Sequence, residues 1–203
     1  MNNEKMTTPK GIALYPYLAK PDTKFDDIGV YQLSLRLPKE EGTPLQNTIQ
    51  EILNKHTDLI KKQTGKDPKI QPIPVRENTD ADGNEVLDFK FKLRPQLRTR
   101  SGEIIEQRPQ VFDAGLKPMN STPVGNGSLV KVAFIAAPYQ APIGAGVSLR
   151  LSAVQVLELV RYSGGAESNG FASEEGFSIE EEPKTPVVTD GNEEQETASA
   201  SAF

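Results

Sequence analysis

Apolar and polar residues alternate along most of the first 160 positions, in runs punctuated by Pro, Gly and Asp, and this period of two predicts strands. Val30 to Leu37 alternates most cleanly, with Tyr31, Leu33, Leu35 and Leu37 on one face and Gln32, Ser34 and Arg36 on the other. A strand is also expected over Gly11 to Lys20, which holds Ile12, Leu14, Tyr15, Tyr17 and Leu18. Asp80-Ala81-Asp82-Gly83-Asn84 predicts a hairpin turn, because Asp-Gly supplies the positive φ such a turn demands, with Glu85 to Arg94 as the return strand. Further strands are expected over Ile104 to Val111, Leu129 to Ala137 and Val147 to about Tyr162. The last begins as a clean alternation and turns almost wholly apolar from Val154 to Val160, a change of phase that predicts a bulge or a bend.

One segment follows the helical period instead. Leu45, Ile49, Ile52, Leu53 and Ile60 predict an amphipathic helix over residues 44–63, with Thr43 as N-cap, Pro44 at the first helical position and Gly65 as the stop. His56 lies on or beside that apolar stripe and reads as a packing residue. Several strands, one helix between early strands and no βαβ rhythm predict a mainly β protein, a small closed β-barrel with one helical insertion.

Charge changes the picture near the end of the chain. Residues 164–203 carry ten acids and one base, a net −9, whereas residues 1–163 carry 18 acids and 22 bases, a net +4; together they give the chain's −5. The acidic segment is rich in Ser, Thr and Ala and poor in core residues, so it is expected to stay disordered. The expected organisation is a folded basic body, 1–163, and an acidic tail, 164–203. There is no Cys, which excludes a disulfide framework, a thiolate zinc site and a Cys nucleophile, and the one histidine removes His-rich metal sites. The N-terminus has no apolar leader and the longest apolar run, Val132 to Pro138, falls far short of the ~20 residues that span a bilayer, so a soluble cytoplasmic protein is expected.

Catalytic patterns are weak. Asn78-x-Asp80-x-Asp82-Gly83 opens like a calcium loop, but its twelfth position is Phe89 rather than a bidentate Glu, and its flanks read as strands. Asp22, Asp26 and Asp27 read as solvated loop acids, and no Walker glycine pattern precedes a helix. Neither catalytic residues nor a metal or cofactor are expected. The strongest constellation is Phe89-Lys90-Phe91-Lys92-Leu93-Arg94, continuing through Arg98 and Arg100. On a strand it sets Lys90, Lys92 and Arg94 on one side and assigns Phe89, Phe91 and Leu93 to the core side. A file of cations suits a phosphate backbone, while unpaired bases need flat π surfaces. Tyr15, Tyr17 and Tyr139 are candidates for those surfaces as well as for ordinary rim positions, and Lys131 and Arg150 would extend the positive groove.

Leu14-Tyr15-Pro16-Tyr17-Leu18, Pro21-Asp22-Thr23-Lys24-Phe25, Arg108-Pro109-Gln110-Val111-Phe112-Asp113-Ala114, Gly125-Asn126-Gly127-Ser128-Leu129-Val130-Lys131-Val132, the run from Gly146 to Val156 and the terminal Phe203 together carry a resemblance. The chain resembles the phage-encoded single-stranded DNA-binding proteins, helix-destabilising proteins with an OB-fold and an acidic tail ending in Phe. It departs from them in ending Ala-Ser-Ala-Phe, with no acid directly before the aromatic. The resemblance implies sequence-independent binding and protection of single-stranded DNA in replication and recombination. It also implies that the tail, through Glu180, Glu181, Glu182, Glu193, Glu194, Glu196 and Phe203, competes for the groove and recruits replication or recombination proteins. A homodimer is compatible with this reading. A protein-interaction adaptor is the alternative, and a metal-dependent nuclease would have to rest on Asp22 and Asp26.

Overall fold

The computed structural model describes residues 4–99, 101–119 and 122–161. In chain order these residues form β1 (Lys5–Thr7), β2 (Gly11–Asp22), β3 (Val30–Pro38), α1 (Lys39–Thr64), β4 (Val75–Thr79), β5 (Glu85–Leu93), β6 (Gln96–Arg98), β7 (Ile104–Glu106), β8 (Gln110–Phe112), β9 (Leu129–Ala141) and β10 (Gly144–Glu158). Neighbouring pairings run β2–β3–β5–β10–β9 and return to β2, with β5–β10 the parallel seam of that ring. The seams β2–β9 and β5–β10 hold only two residue pairs each, so this is a partly open, OB-like barrel. β1 continues the ring along the edge of β9, β8 continues it along β10, and β4 pairs with the outer edge of β5.

Inward positions of the ring form the core, including Leu33, Leu35, Leu37, Phe89, Phe91, Phe134, Leu149 and Leu151. α1 packs its Leu45, Ile49 and Leu53 against it, and Ile60 is buried further along the helix. Where Gly42 meets the barrel, a Cβ would stand 3.0 Å from a methyl of Leu87, so the helix approaches at a point only glycine fills without displacement. Among the described residues no helix is long and apolar enough to cross a membrane.

The helix begins five residues earlier than the periodicity predicts. Pro38, extended at φ −53° and ψ 142°, flanks its start, and Glu40 and Glu41 in the first turn complement the helix dipole. Thr43 does not cap; its hydroxyl donates to the Lys39 carbonyl at 2.6 Å, and Pro44 lies inside the helix. Gly65 ends it as expected, left-handed at φ 69° with its N–H on the Lys61 carbonyl. The expected single strand over Ile104 to Val111 is two strands, interrupted at 107–109, where Pro109 has no N–H to continue a ladder. β5 stops at Leu93, one residue before Arg94, and β10 runs Gly144–Glu158, with Tyr162 outside the described residues. The phase change in β10 corresponds to register shifts between Leu151 and Ala153 and between Val156 and Glu158.

Candidate nucleic-acid interface

Strand pairing decides which side chains share the outer face. Arg36, Ser34 and Gln32 of β3 stand opposite Asp88, Lys90 and Lys92 of β5. Across the parallel seam Lys92 stands beside Arg150 of β10, and β4 brings Arg76 opposite Asp88. Lys90 and Lys92 are exposed, while Phe89 and Phe91 are fully buried, so the expected partition of this strand holds. Above the face lies a groove of about 810 Å³ whose lining includes Tyr15, Arg36, Arg76, Asp88, Lys90 and Asn126.

Two of these charges have different fates. Arg36 forms a bidentate pair with Asp88, Nε to Oδ1 and Nη2 to Oδ2, both at 2.8 Å, and Asn78 adds a third donor to Oδ2 at 2.7 Å. Burial pushes the Asp88 carboxyl up, but the hydrogen bonds from Arg36 and Asn78 and the arginine charge outweigh it and hold the group below the usual aspartate range. Lys90 has a serine opposite it instead. Burial, followed by the charges of Lys92 and Arg76, pushes its ammonium below the ordinary lysine value. A phosphate would relieve that crowding.

Other expected contacts are spread more widely. Arg94 is exposed just beyond β5, and Arg98 is exposed on β6, in the two-stranded β6–β7 arm. Arg150 is half-buried and donates to Gln107 Oε1 at 2.9 Å. Lys131 is not brought to the Lys90–Lys92 row: it faces Gln155 from β9, and β10 separates β9 from β5. Arg100 and the tail residues Glu180, Glu181, Glu182, Glu193, Glu194, Glu196 and Phe203 lie outside the described residues.

The aromatic candidates divide as well. Tyr15 is 73% exposed and takes a left-handed backbone, φ 49°, which costs a non-glycine residue about 1–2 kcal/mol. Its amide N–H donates to the side-chain Oδ1 of Asn126 at 2.9 Å. Tyr17 stands opposite Gln32 on the outer face. Tyr139 lies against Gly146 across the β9–β10 hairpin, so closely that a Cβ on Gly146 would meet its hydroxyl at 2.5 Å. His56 is buried, with Nε2 3.2 Å from the Tyr139 carbonyl oxygen and no partner for Nδ1, which agrees with a packing role.

Sequence reasoning missed three residues. Arg76 follows from the hairpin register once the Asp80–Asn84 turn is used to count back along β4. Phe25, 90% exposed in the β2–β3 loop with the Lys24 ammonium 5.5 Å from its ring centroid, was visible as an aromatic that no alternation could bury. Asn126 reaches Tyr15 across 111 residues, and nothing local announces that partnership. Among the described residues no group of three or more His, Cys, Asp or Glu is placed to hold a metal. Asp22 and Asp26 accept backbone N–H groups of their own loop, and Asp80 does the same in the hairpin turn.

Residues 10–159 match the family model described as single-stranded DNA-binding protein, bacteriophage T7. The chain is 26% identical over 187 residues to the single-stranded DNA-binding protein of Escherichia phage T7, covering 78% of this chain and 80% of that one. It is 27% identical over 174 residues to the protein of that name from Enterobacteria phage T3, covering 75% of each. Its fold superposes on the crystal structure of gp2.5, a single-stranded DNA-binding protein encoded by bacteriophage T7, with a TM-score of 0.68 at 25% identity, over 87% of this chain and 99% of that one. The single-stranded DNA-binding protein of bacteriophage Enc34, solved in complex with ssDNA, shares the fold with a TM-score of 0.58 at 13% identity, over 80% and 91% of the two chains.

Proposed function

The chain belongs to the bacteriophage T7 family of single-stranded DNA-binding proteins, and from that membership we propose that it coats and protects single-stranded DNA during phage replication and recombination. The observation that supports this most directly is the cation row of β5 and β10, where Lys90, Lys92 and Arg150 adjoin without an acid opposite any of them in the ladder. A phosphate backbone supplies the missing anions at regular spacing and without regard to sequence. Lys90, Lys92, Arg94, Arg98 and Arg150 are our phosphate contacts, with Arg76 added, and Tyr15, Tyr17 and Phe25 our stacking surfaces. The protein acts by binding rather than by turnover.

We read residues 1–163 as the DNA-binding body and 164–203 as an acidic arm that competes for the same cations. The opposite net charges of the two segments, +4 and −9, support this self-competition. When DNA displaces the arm, it is free to engage replication proteins. With about five of these six cations on phosphates at once, the slope of log K against log salt is expected near −3.5. Fluorescence anisotropy with labelled oligo-dT, comparing the full chain with one ending at Ser163, tests the reading. The shortened chain should bind more tightly and prefer oligo-dT to duplex. Equal affinity for both would defeat the single-strand reading, and no salt-sensitive binding at all would favour the adaptor.

A further inference from the structure

We propose that an apolar pocket beside Tyr15 receives one unstacked nucleobase, and that Asn126 positions Tyr15 to wall it. The inference rests on the single-strand reading above and assigns a place to the base rather than to the phosphate. The pocket, of about 670 Å³, is bounded in part by Tyr15, Tyr17, Leu18, Pro123, Val124 and Asn126. Leu18 and Val124 are buried, so its floor is apolar. Tyr15 and Asn126 also line the cationic groove that contains Arg36, Arg76 and Lys90. They are the wall shared by an apolar cavity and a basic channel, and a nucleotide presents those two requirements, a flat ring and an anion, at its two ends.

The backbone is built to hold that wall. Ala13 is fully buried, so unbroken alternation along β2 would carry Tyr15 and Tyr17 into the core. Between the pairs Leu14–Ser34 and Tyr17–Gln32, β2 advances three residues while β3 advances two. The extra residue flips the phase and turns both tyrosines outward. Asn126 secures the irregularity through its bond to the Tyr15 amide. The residues that follow it are fixed to Ala13 of β2: Gly127 N–H donates to the Ala13 carbonyl at 2.9 Å, and Ala13 N–H donates to the Ser128 carbonyl at 2.8 Å. The fully buried Ser128 hydroxyl donates to the Gly125 carbonyl and accepts the Val160 N–H, so the turn is also tied to the chain beyond β10.

Anisotropy titrations with oligo-dT and with an abasic oligonucleotide of equal length and charge isolate the base. The wild-type chain should prefer oligo-dT by roughly tenfold or more, the scale of one stacked base. Tyr15→Gly removes the ring while accepting the left-handed backbone, so the chain should fold, lose roughly tenfold in oligo-dT affinity and keep its abasic affinity and salt slope. Asn126→Ala should lower the oligo-dT to abasic ratio, and Asn126→Asp, which keeps the acceptor oxygen, should restore it. A wild-type ratio in Tyr15→Gly, or no base preference in the wild type, overturns the pocket and leaves the DNA reading standing. Failure of the wild type to bind either oligonucleotide overturns both.

Discussion

The two faces of β5 differ in how far their demands are met inside the molecule. On the inward face Phe89 and Phe91 are fully buried, and Phe91 meets Phe134 edge-on, centroids 5.1 Å apart at 60°. On the outward face Lys90 and Lys92 oppose a serine and a glutamine and form no ion pair among the described residues. The inward face completes itself within the chain; on the outward face Asp88 is held by Arg36 and Asn78, whereas Lys90 and Lys92 have no acid opposite them. Folding and binding are therefore separable by residue parity along a single strand.

The largest effect comes from breaking the inward face. Phe91→Ala removes a fully buried ring and should destabilise the barrel by about 3–5 kcal/mol, read from the midpoint of urea unfolding. Its folded fraction should keep the wild-type salt slope, because no phosphate contact is lost. The outward face should respond in the opposite sense. Lys90→Ala with Lys92→Ala removes two cations, and the slope of log K against log salt should shrink by about 1.4, which at 0.1 M salt is roughly 25-fold in affinity. Stability should hold or rise, since the two charges burden one another. A double variant that unfolds more easily yet binds as before would refute the separation.

Sequence parity alone made this partition legible. The alternation read from Phe89 onward placed Phe89 to Leu93 on their observed sides, and the Asp80–Asn84 turn located the hairpin. What could not be read was anything fixed by distant pairing. The sequence named Arg150 for the groove but not its neighbour, since its place beside Lys92 depends on a parallel seam between strands more than fifty residues apart, and the same ring order takes Lys131 away from the row. The outward turn of Tyr15 depends on one extra residue in β2 and on a side chain from the opposite end of the body. The helix start was misplaced for a local reason: Thr43-Pro44 imitates a cap and first position, while the actual start follows Pro38.

Asp88 supplies the smallest and sharpest test, because it is the one outward residue of β5's central run that brings an acid to the row. Asp88→Asn keeps the shape and an acceptor oxygen but removes the charge that holds Arg36. If Arg36 then turns to phosphate, affinity at 0.1 M salt should rise about fivefold, the worth of one added contact. Stability should fall by about 1 kcal/mol or more, as for a well-formed pair whose side chains are only 28% and 13% exposed. The pH dependence fixes the sign independently. The folded-state carboxyl sits below its unfolded value, so its contribution is present at neutral pH and fades as pH drops below the ordinary aspartate value of ~3.9 toward the lower folded one. Urea midpoints followed downward through that window should fall more steeply for the wild type than for Asp88→Asn. A variant that loses stability without gaining affinity would show that Arg36 serves the fold, leaving Lys90 and Lys92 as the part of this face that awaits a ligand.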